Sequence, residues 1–135
     1  MKMRKLNYCE CMRVQSQSSQ VGTFKNIYNR ICDQISLDLF SPTYIHQAQE
    51  ICMIITEIML LPDDTEIQIA GKKMNISLVR NVYSFLEYDH VAMVIDNFRQ
   101  IRYKINHKKT YLRTALYNSV FELAAAICND VNSES

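Results

Sequence analysis

The sequence is poor in the residues that turn a chain sharply. Glycine and proline occur only twice each in 135 residues. Because folds made of many short strands need these residues at their turns, their scarcity argues against an all-β fold and favours long helices. No stretch reaches the roughly 18 consecutive apolar residues of a membrane-spanning helix, and no apolar core of a signal peptide follows the basic N-terminus. We therefore expect a cytoplasmic chain that does not contact a membrane.

The number of cysteines, five, does not favour a disulfide framework. The five cysteines cannot all pair, and Cys32, Cys52 and Cys128 fall within helical patterns. This usage predicts reduced thiols inside a cell. Cys9 and Cys11 lack a second pair at the spacing of zinc ligands, and the three histidines are widely separated in sequence. We expect no metal and no cofactor.

Apolar residues recur at three- and four-residue steps along most of the chain, which predicts helices. The predicted helix starts lie, in chain order, at Thr23, Ser41-Pro42, Ser77, Tyr88-Asp89 and Lys108. Between the second and third of these helices, the stretch 65–76 alternates apolar and polar residues around Gly71, which predicts a β-hairpin. The predicted fold class is mainly α, with about five helices and one small β-hairpin.

One domain is predicted for residues 23–129. Residues 1–22 include the polar run QSQSSQ and are predicted to form a disordered tail, and residues 130–135 are predicted to fray. The third helix is predicted to turn Leu78, Val79, Val82 and Phe85 inward. The last helix is predicted to bury a stripe of residues from Leu112 to Ile127.

A basic segment joins the last two predicted helices. Six Lys or Arg residues and no Asp or Glu occur between Asn97 and Phe121, whereas the rest of the chain has nine basic residues against fourteen acidic ones. Cations on long stems bind phosphates, and exposed tyrosines stack on the bases of single strands. The residues predicted to contact DNA are Arg99, Arg102, Tyr103, Lys104, Lys108, Lys109 and Arg113. The alternative is a solvated connection without a partner, and Tyr111 is expected in the core.

Three pieces of the sequence carry a resemblance to a known family. They are TEIQIAG at 65–71, ISLVRNVYSFLEYDHVAMVID at 76–96 and KKTYLRTALYNS at 108–119. Their order and spacing resemble the C-terminal, DnaD-like domain of Firmicute replication initiator protein A, which plasmids and mobile elements carry. The most specific piece is YLRTALYN. Its mid-helix Asn118 is expected either to stabilise the hairpin or the helix packing by a hydrogen bond, or to mark a kink.

The resemblance implies a non-catalytic part in DNA replication. Domains of this kind are expected to contact DNA non-specifically and to help recruit the replicative helicase, primase or loader protein. Residues 1–22 do not match the winged-helix domain that precedes such domains in the family, so recognition of an origin sequence is not expected of this chain. The partner's identity and the formation of a homo-oligomer are left open.

Two other functions remain open from the sequence. The first is a protein-interaction or self-association module that does not bind DNA. The second is an enzyme, which needs a concave site with titratable side chains. No cluster of such residues and no glycine-rich phosphate loop indicates one, so we expect the protein not to be an enzyme.

Overall fold

The structure, a computed structural model, describes residues 18–134 and the side chains of residues 22–128. Its elements are, in chain order, α1 (Ser18–Gln34), a short 3₁₀ helix (Leu37–Leu39), α2 (Ile45–Leu60), β1 (Glu66–Ile69), β2 (Lys72–Asn75), α3 (Ile76–Tyr83), α4 (Tyr88–Arg99) and α5 (Lys108–Glu134). The five α-helices and the two-stranded antiparallel sheet confirm the predicted fold class for this part of the chain. None of the helices described is long and apolar enough to cross a membrane.

The first and last helices extend beyond the predicted domain boundaries at 23 and 129. Helix α1 begins at Ser18, so residues 18–22 are helical where the sequence predicts a tail. The rest of that predicted tail, residues 1–17, lies outside the described residues. Helix α5 continues to Glu134, past the predicted end of the domain at 129, and fraying at the C-terminus stays a prediction.

Helix α2 lies at the centre of the core. It is apolar on almost every side, with buried side chains at Ala48, Ile51, Cys52, Ile54, Ile55, Thr56 and Ile58. A helix that is apolar all round needs neighbours on several faces, and α2 packs against α1, α3, α4 and α5. The hydroxyl of Thr56 donates to the carbonyl of Cys52 at 2.7 Å, so this buried polar group is satisfied.

The β-hairpin covers one side of the helices. Ile67 and Ile69 are buried, while the residues that alternate with them in β1 are exposed. The strands pair so that Ala70 and Gly71 form a two-residue turn, and both residues have positive φ, 55° and 81°. Such a turn matches the twist of paired strands, and glycine adopts it without strain. The Ala70 N–H donates to Oγ1 of Thr114 at 3.0 Å, which joins the hairpin to α5.

The hydrogen bond expected of Asn118 is therefore made by Thr114. Asn118 is exposed, and its side chain makes no hydrogen bond to any described residue. We expect Thr114→Val to lower the free energy of unfolding by about 1 kcal/mol, because one partly exposed hydrogen bond is lost, and Thr114→Ser to retain stability. Asn118→Ala is expected to change it by less than about 0.5 kcal/mol. Urea denaturation measures all three, and a larger loss for Asn118→Ala than for Thr114→Val would contradict this assignment.

Helix α3 buries Val79 and Val82, as the sequence predicts, but not the other two residues that are predicted to face inward. Leu78 and Phe85, which are predicted to face inward, are 53% and 59% exposed. Tyr83 and Leu86 have no exposed surface and continue the buried stripe of Val79. The predicted and the observed sets of residues both have helical spacing. Which set is buried depends on contacts with α2 and α5, and the local sequence does not show those contacts.

The apolar stripe of α5 is buried only in the first half of the helix. Leu112, Leu116 and Ser119 are buried, whereas Ile127 is 62% exposed. The prediction that the buried stripe extends to Ile127 is therefore wrong, because α5 is longer than the layer of helices that it packs on.

Candidate nucleic-acid interface

The seven residues predicted to contact DNA lie on three different parts of the fold. Arg99 is the last residue of α4, Arg102, Tyr103 and Lys104 lie in the connection between α4 and α5, and Lys108, Lys109 and Arg113 lie in the first turns of α5. The connection, residues 100–107, contains neither helix nor strand. A segment that is continuous in sequence is thus divided among surfaces that have different neighbours.

Arg99 is bound to helix α2 and the residues that precede it. Its Nη1 donates to Oε1 of Gln47 at 2.9 Å and to the carbonyl oxygen of Thr43 at 3.4 Å. The guanidinium carbon lies 4.8 Å from the centre of the Tyr44 ring, within the range of a cation–π attraction. The Tyr44 hydroxyl donates to Asp96, and this hydrogen bond raises the pKa of the phenol. Arg99 therefore fixes the end of α4 to the start of α2.

Lys108 and Lys109 both reach carboxylates of α2. Nζ of Lys108 lies 3.0 Å from Oε1 of Glu50, and Nζ of Lys109 lies 3.0 Å from Oε1 of Glu57. The four side chains keep between 38% and 54% of their surface exposed, so the pairs are open to water. Exposed pairs of this kind are weak, and an incoming anion can compete for the lysines. They nevertheless reduce the positive charge that the sequence indicates.

Arg113 is anchored at the contact between α3 and α5. Its Nε is buried and has no hydrogen-bond acceptor among the described residues. Its backbone carbonyl accepts a hydrogen bond from the Tyr83 hydroxyl at 2.8 Å. Burial raises the pKa of the Tyr83 phenol, and the nearby Arg113 cation opposes that change only in part. The burial of Nε limits how far this side chain can reach towards a phosphate.

Arg102, Tyr103 and Lys104, which we call the exposed triplet, are the members of the set that remain available. All three are exposed, and their side chains make no hydrogen bond or ion pair with other described residues. Tyr103 is 72% exposed. An exposed aromatic ring between two cations combines the two features that single strands need, a stacking surface and phosphate contacts.

A groove between α4 and α5 lies close to the triplet. It has a volume of about 200 Å³ and is lined by Met93, Val94, Asn97, Tyr111, Thr114, Ala115, Asn118 and Glu122. Tyr111, which the sequence predicts in the core, is only partly buried and packs against it, with its ring centre 5.8 Å from that of Phe98. Burial and the nearby Tyr103 and Glu122 raise its pKa. The sequence does not indicate this groove, although four residues of the YLRTALYN motif line it.

Residues that could coordinate a metal ion do not cluster in the described part of the chain. No group of three His, Cys, Asp or Glu side chains there lies close enough for shared coordination. His90 has a structural contact instead, because its Nδ1 accepts a hydrogen bond from the Glu87 N–H at 3.0 Å where α4 begins. Cys9 and Cys11 lie outside the described residues. The expectation that the protein is not an enzyme stays a prediction.

Comparison with known proteins places this helical domain in a family. The chain belongs to DUF6017, a family of unknown function, whose match covers residues 11–134. No curated protein and no solved structure matches the chain. Because the family has no assigned activity, the resemblance to the initiator domain stays a prediction.

Proposed function

We propose that this protein is a non-catalytic accessory domain of DNA replication in the cytoplasm. In this proposal it contacts single-stranded or non-specific DNA and recruits a replicative helicase, primase or loader protein. The observation that supports the DNA contact is the exposed triplet, in which Tyr103 is 72% exposed between two cations. The replication context rests on the resemblance of residues 65–119 to the initiator domain.

The structure narrows the proposed DNA contact to part of the basic segment. The triplet forms its centre because its charges have no partner among the described residues. Lys108 and Lys109 contribute after they exchange a glutamate for a phosphate, which is feasible because both pairs are half exposed. Arg99 keeps its hydrogen bonds to α2 and Arg113 has a buried Nε, so we leave both out of the proposed contact.

Single-strand binding, measured by fluorescence anisotropy at about 50 and 200 mM salt, tests the proposal. Replacing Arg102 and Lys104 together with alanine is expected to weaken binding on the order of tenfold. The slope of log K against log salt is expected to fall by about 1.4, because each phosphate contact to a single strand contributes about 0.7. Tyr103→Ala is expected to weaken binding by a similar factor without changing the slope, because it removes stacking.

The matched control replaces Lys25 and Arg30, exposed residues of α1, with alanine. It removes the same two charges from another surface, so an equal loss of affinity would contradict a localised contact. Replacing Glu50 and Glu57 with glutamine is expected to strengthen binding, because the two lysines at the start of α5 then lose their intramolecular partners. Unchanged affinity in that variant would exclude these lysines from the contact.

A protein-interaction or self-association module without DNA binding is the second candidate. The observation that favours it is the pairing of Lys108 and Lys109 with glutamates. These pairs leave less net positive charge on the surface of the basic segment than its sequence alone indicates. If the unmodified protein fails to bind single strands at about 50 mM salt, the DNA proposal is overturned. Sedimentation equilibrium of the same sample then separates self-association from a monomer that needs another partner.

A further inference from the structure

Two thiols meet where α1 packs on α2. Sγ of Cys32 lies 3.7 Å from Sγ of Cys52, and neither cysteine is in a disulfide. Cys52 has no exposed surface, whereas Cys32 is partly exposed. The sulfurs need to approach by only about 1.7 Å to reach the length of a disulfide bond.

The phenol of Tyr28 interacts with both thiols. Tyr28 lies one turn before Cys32 on α1, and burial together with the neighbouring thiols raises its pKa. The hydrogen bond from Cys32 and burial raise the pKa of the Cys52 thiol. Cys128, the other cysteine with a described side chain, is exposed on α5. Cys32 and Cys52 are therefore distinguished by their contact with each other.

We propose that Cys32 and Cys52 form a dithiol that a hydroperoxide oxidises to an intramolecular disulfide between α1 and α2. The partly exposed Cys32 reacts first. Its thiolate attacks a peroxide oxygen, the O–O bond breaks, and Cys32 becomes a sulfenic acid while the leaving hydroxide takes a proton to form water. The Cys52 thiol, whose raised pKa keeps it protonated, then attacks the Cys32 sulfur and gives its proton to the departing hydroxide, so that the S–S bond forms and a second water leaves. Two thiols lose two electrons in total, and one hydrogen peroxide becomes two waters.

The disulfide would join α1 covalently to α2. Residues 33–51 would form a closed loop between the linked cysteines, and a loop of that length restricts the unfolded chain considerably. We expect the oxidised protein to melt about 10 °C higher than the reduced protein. This modification is independent of DNA binding, because the pair lies on α1 and α2 and the exposed triplet lies between α4 and α5.

The test uses the full chain with Cys9, Cys11 and Cys128 replaced by serine, so that only the pair remains. The protein is treated with hydrogen peroxide, unfolded and alkylated with N-ethylmaleimide. The expected result is a monomer that has lost two hydrogens and takes up no label, with the higher melting temperature reversed by dithiothreitol. Two labelled thiols after treatment, or a disulfide-linked dimer, would overturn the proposal.

Two further variants in that background test the order of the steps. Cys52→Ala removes the second thiol, so Cys32 is expected to accumulate as a sulfenic acid that dimedone traps. Cys32→Ser leaves the buried Cys52 alone, and its melting temperature is expected not to change with peroxide. Dimedone labelling of Cys52 in Cys32→Ser at the rate seen for Cys32 would contradict the assignment of Cys32 as the residue that reacts first.

Discussion

Replacing Tyr83 with alanine is expected to lower the free energy of unfolding by about 3–5 kcal/mol, because a large buried aromatic side chain leaves a cavity. Tyr83 has no exposed surface and lies between α3 and the helices around it. Its hydroxyl also donates to the Arg113 carbonyl of α5 at 2.8 Å. The substitution therefore removes both apolar packing and the hydrogen bond that connects α3 with α5.

Tyr83→Phe separates these two contributions. It keeps the ring and removes only the hydroxyl, so we expect a loss of about 1 kcal/mol. Leu78→Ala on the exposed face of the same helix is the matched control and is expected to cost less than about 1 kcal/mol. Urea denaturation followed by far-ultraviolet circular dichroism measures all three variants. A loss for Leu78→Ala as large as that for Tyr83→Ala would mean that Leu78 is buried, as the sequence predicts.

Periodicity is sufficient to predict much of the helical fold. Helices α4 and α5 begin at Tyr88 and Lys108, the residues that the sequence predicts, because a polar interruption separates two apolar stripes. The hairpin is predictable for a similar reason, since the period changes from helical to alternating around Gly71. By contrast, residues 18–22 have no apolar periodicity and still belong to α1.

The candidate site is less predictable because charge in space depends on neighbours that are distant in sequence. The segment from Asn97 to Phe121 contains no acidic residue, yet Glu50 and Glu57 of α2 pair with two of its lysines. Nothing near Lys108 in the sequence indicates those glutamates. Arg102, Tyr103 and Lys104 remain exposed in the connection between α4 and α5, and the sequence of the segment does not distinguish them from the two paired lysines.

The structure uses several of its basic residues to connect helices. Arg99 binds α2 from the end of α4, Arg113 is anchored beside Tyr83, and Arg80 binds the end of α2 from α3. A count of basic residues therefore overstates the charge that a nucleic acid would meet. This is why the DNA proposal depends on the triplet and on the competition for two lysines.

Replacing Arg80 with methionine is expected to lower the free energy of unfolding by about 2–3 kcal/mol, because hydrogen bonds from a charged group are lost. Nε of Arg80 donates to the carbonyl of Ile58 at 3.3 Å, and a second guanidinium nitrogen donates to the carbonyl of Leu61. These carbonyls lie at the end of α2, where the last carbonyls lack the regular partners of a helix. Among the described residues, the Ile58 carbonyl accepts only one backbone bond besides, a long one from the Leu61 N–H at 3.4 Å. The Arg80 side chain is only 22% exposed, so water replaces these bonds poorly.

Asp63→Asn distinguishes this helix-end contact from the ion pair that Arg80 also makes. Nη1 of Arg80 lies 2.7 Å from Oδ1 of Asp63, but the Asp63 side chain is 92% exposed, and exposed pairs contribute little. We therefore expect Asp63→Asn to unfold at the same urea concentration as the unmodified protein, within error. Arg80→Lys is expected to fall between the two, because an ammonium group cannot serve both carbonyls in the fixed geometry of a guanidinium. Equal losses for Asp63→Asn and Arg80→Met would show that the ion pair, rather than the bonds to α2, is the stabilising contact.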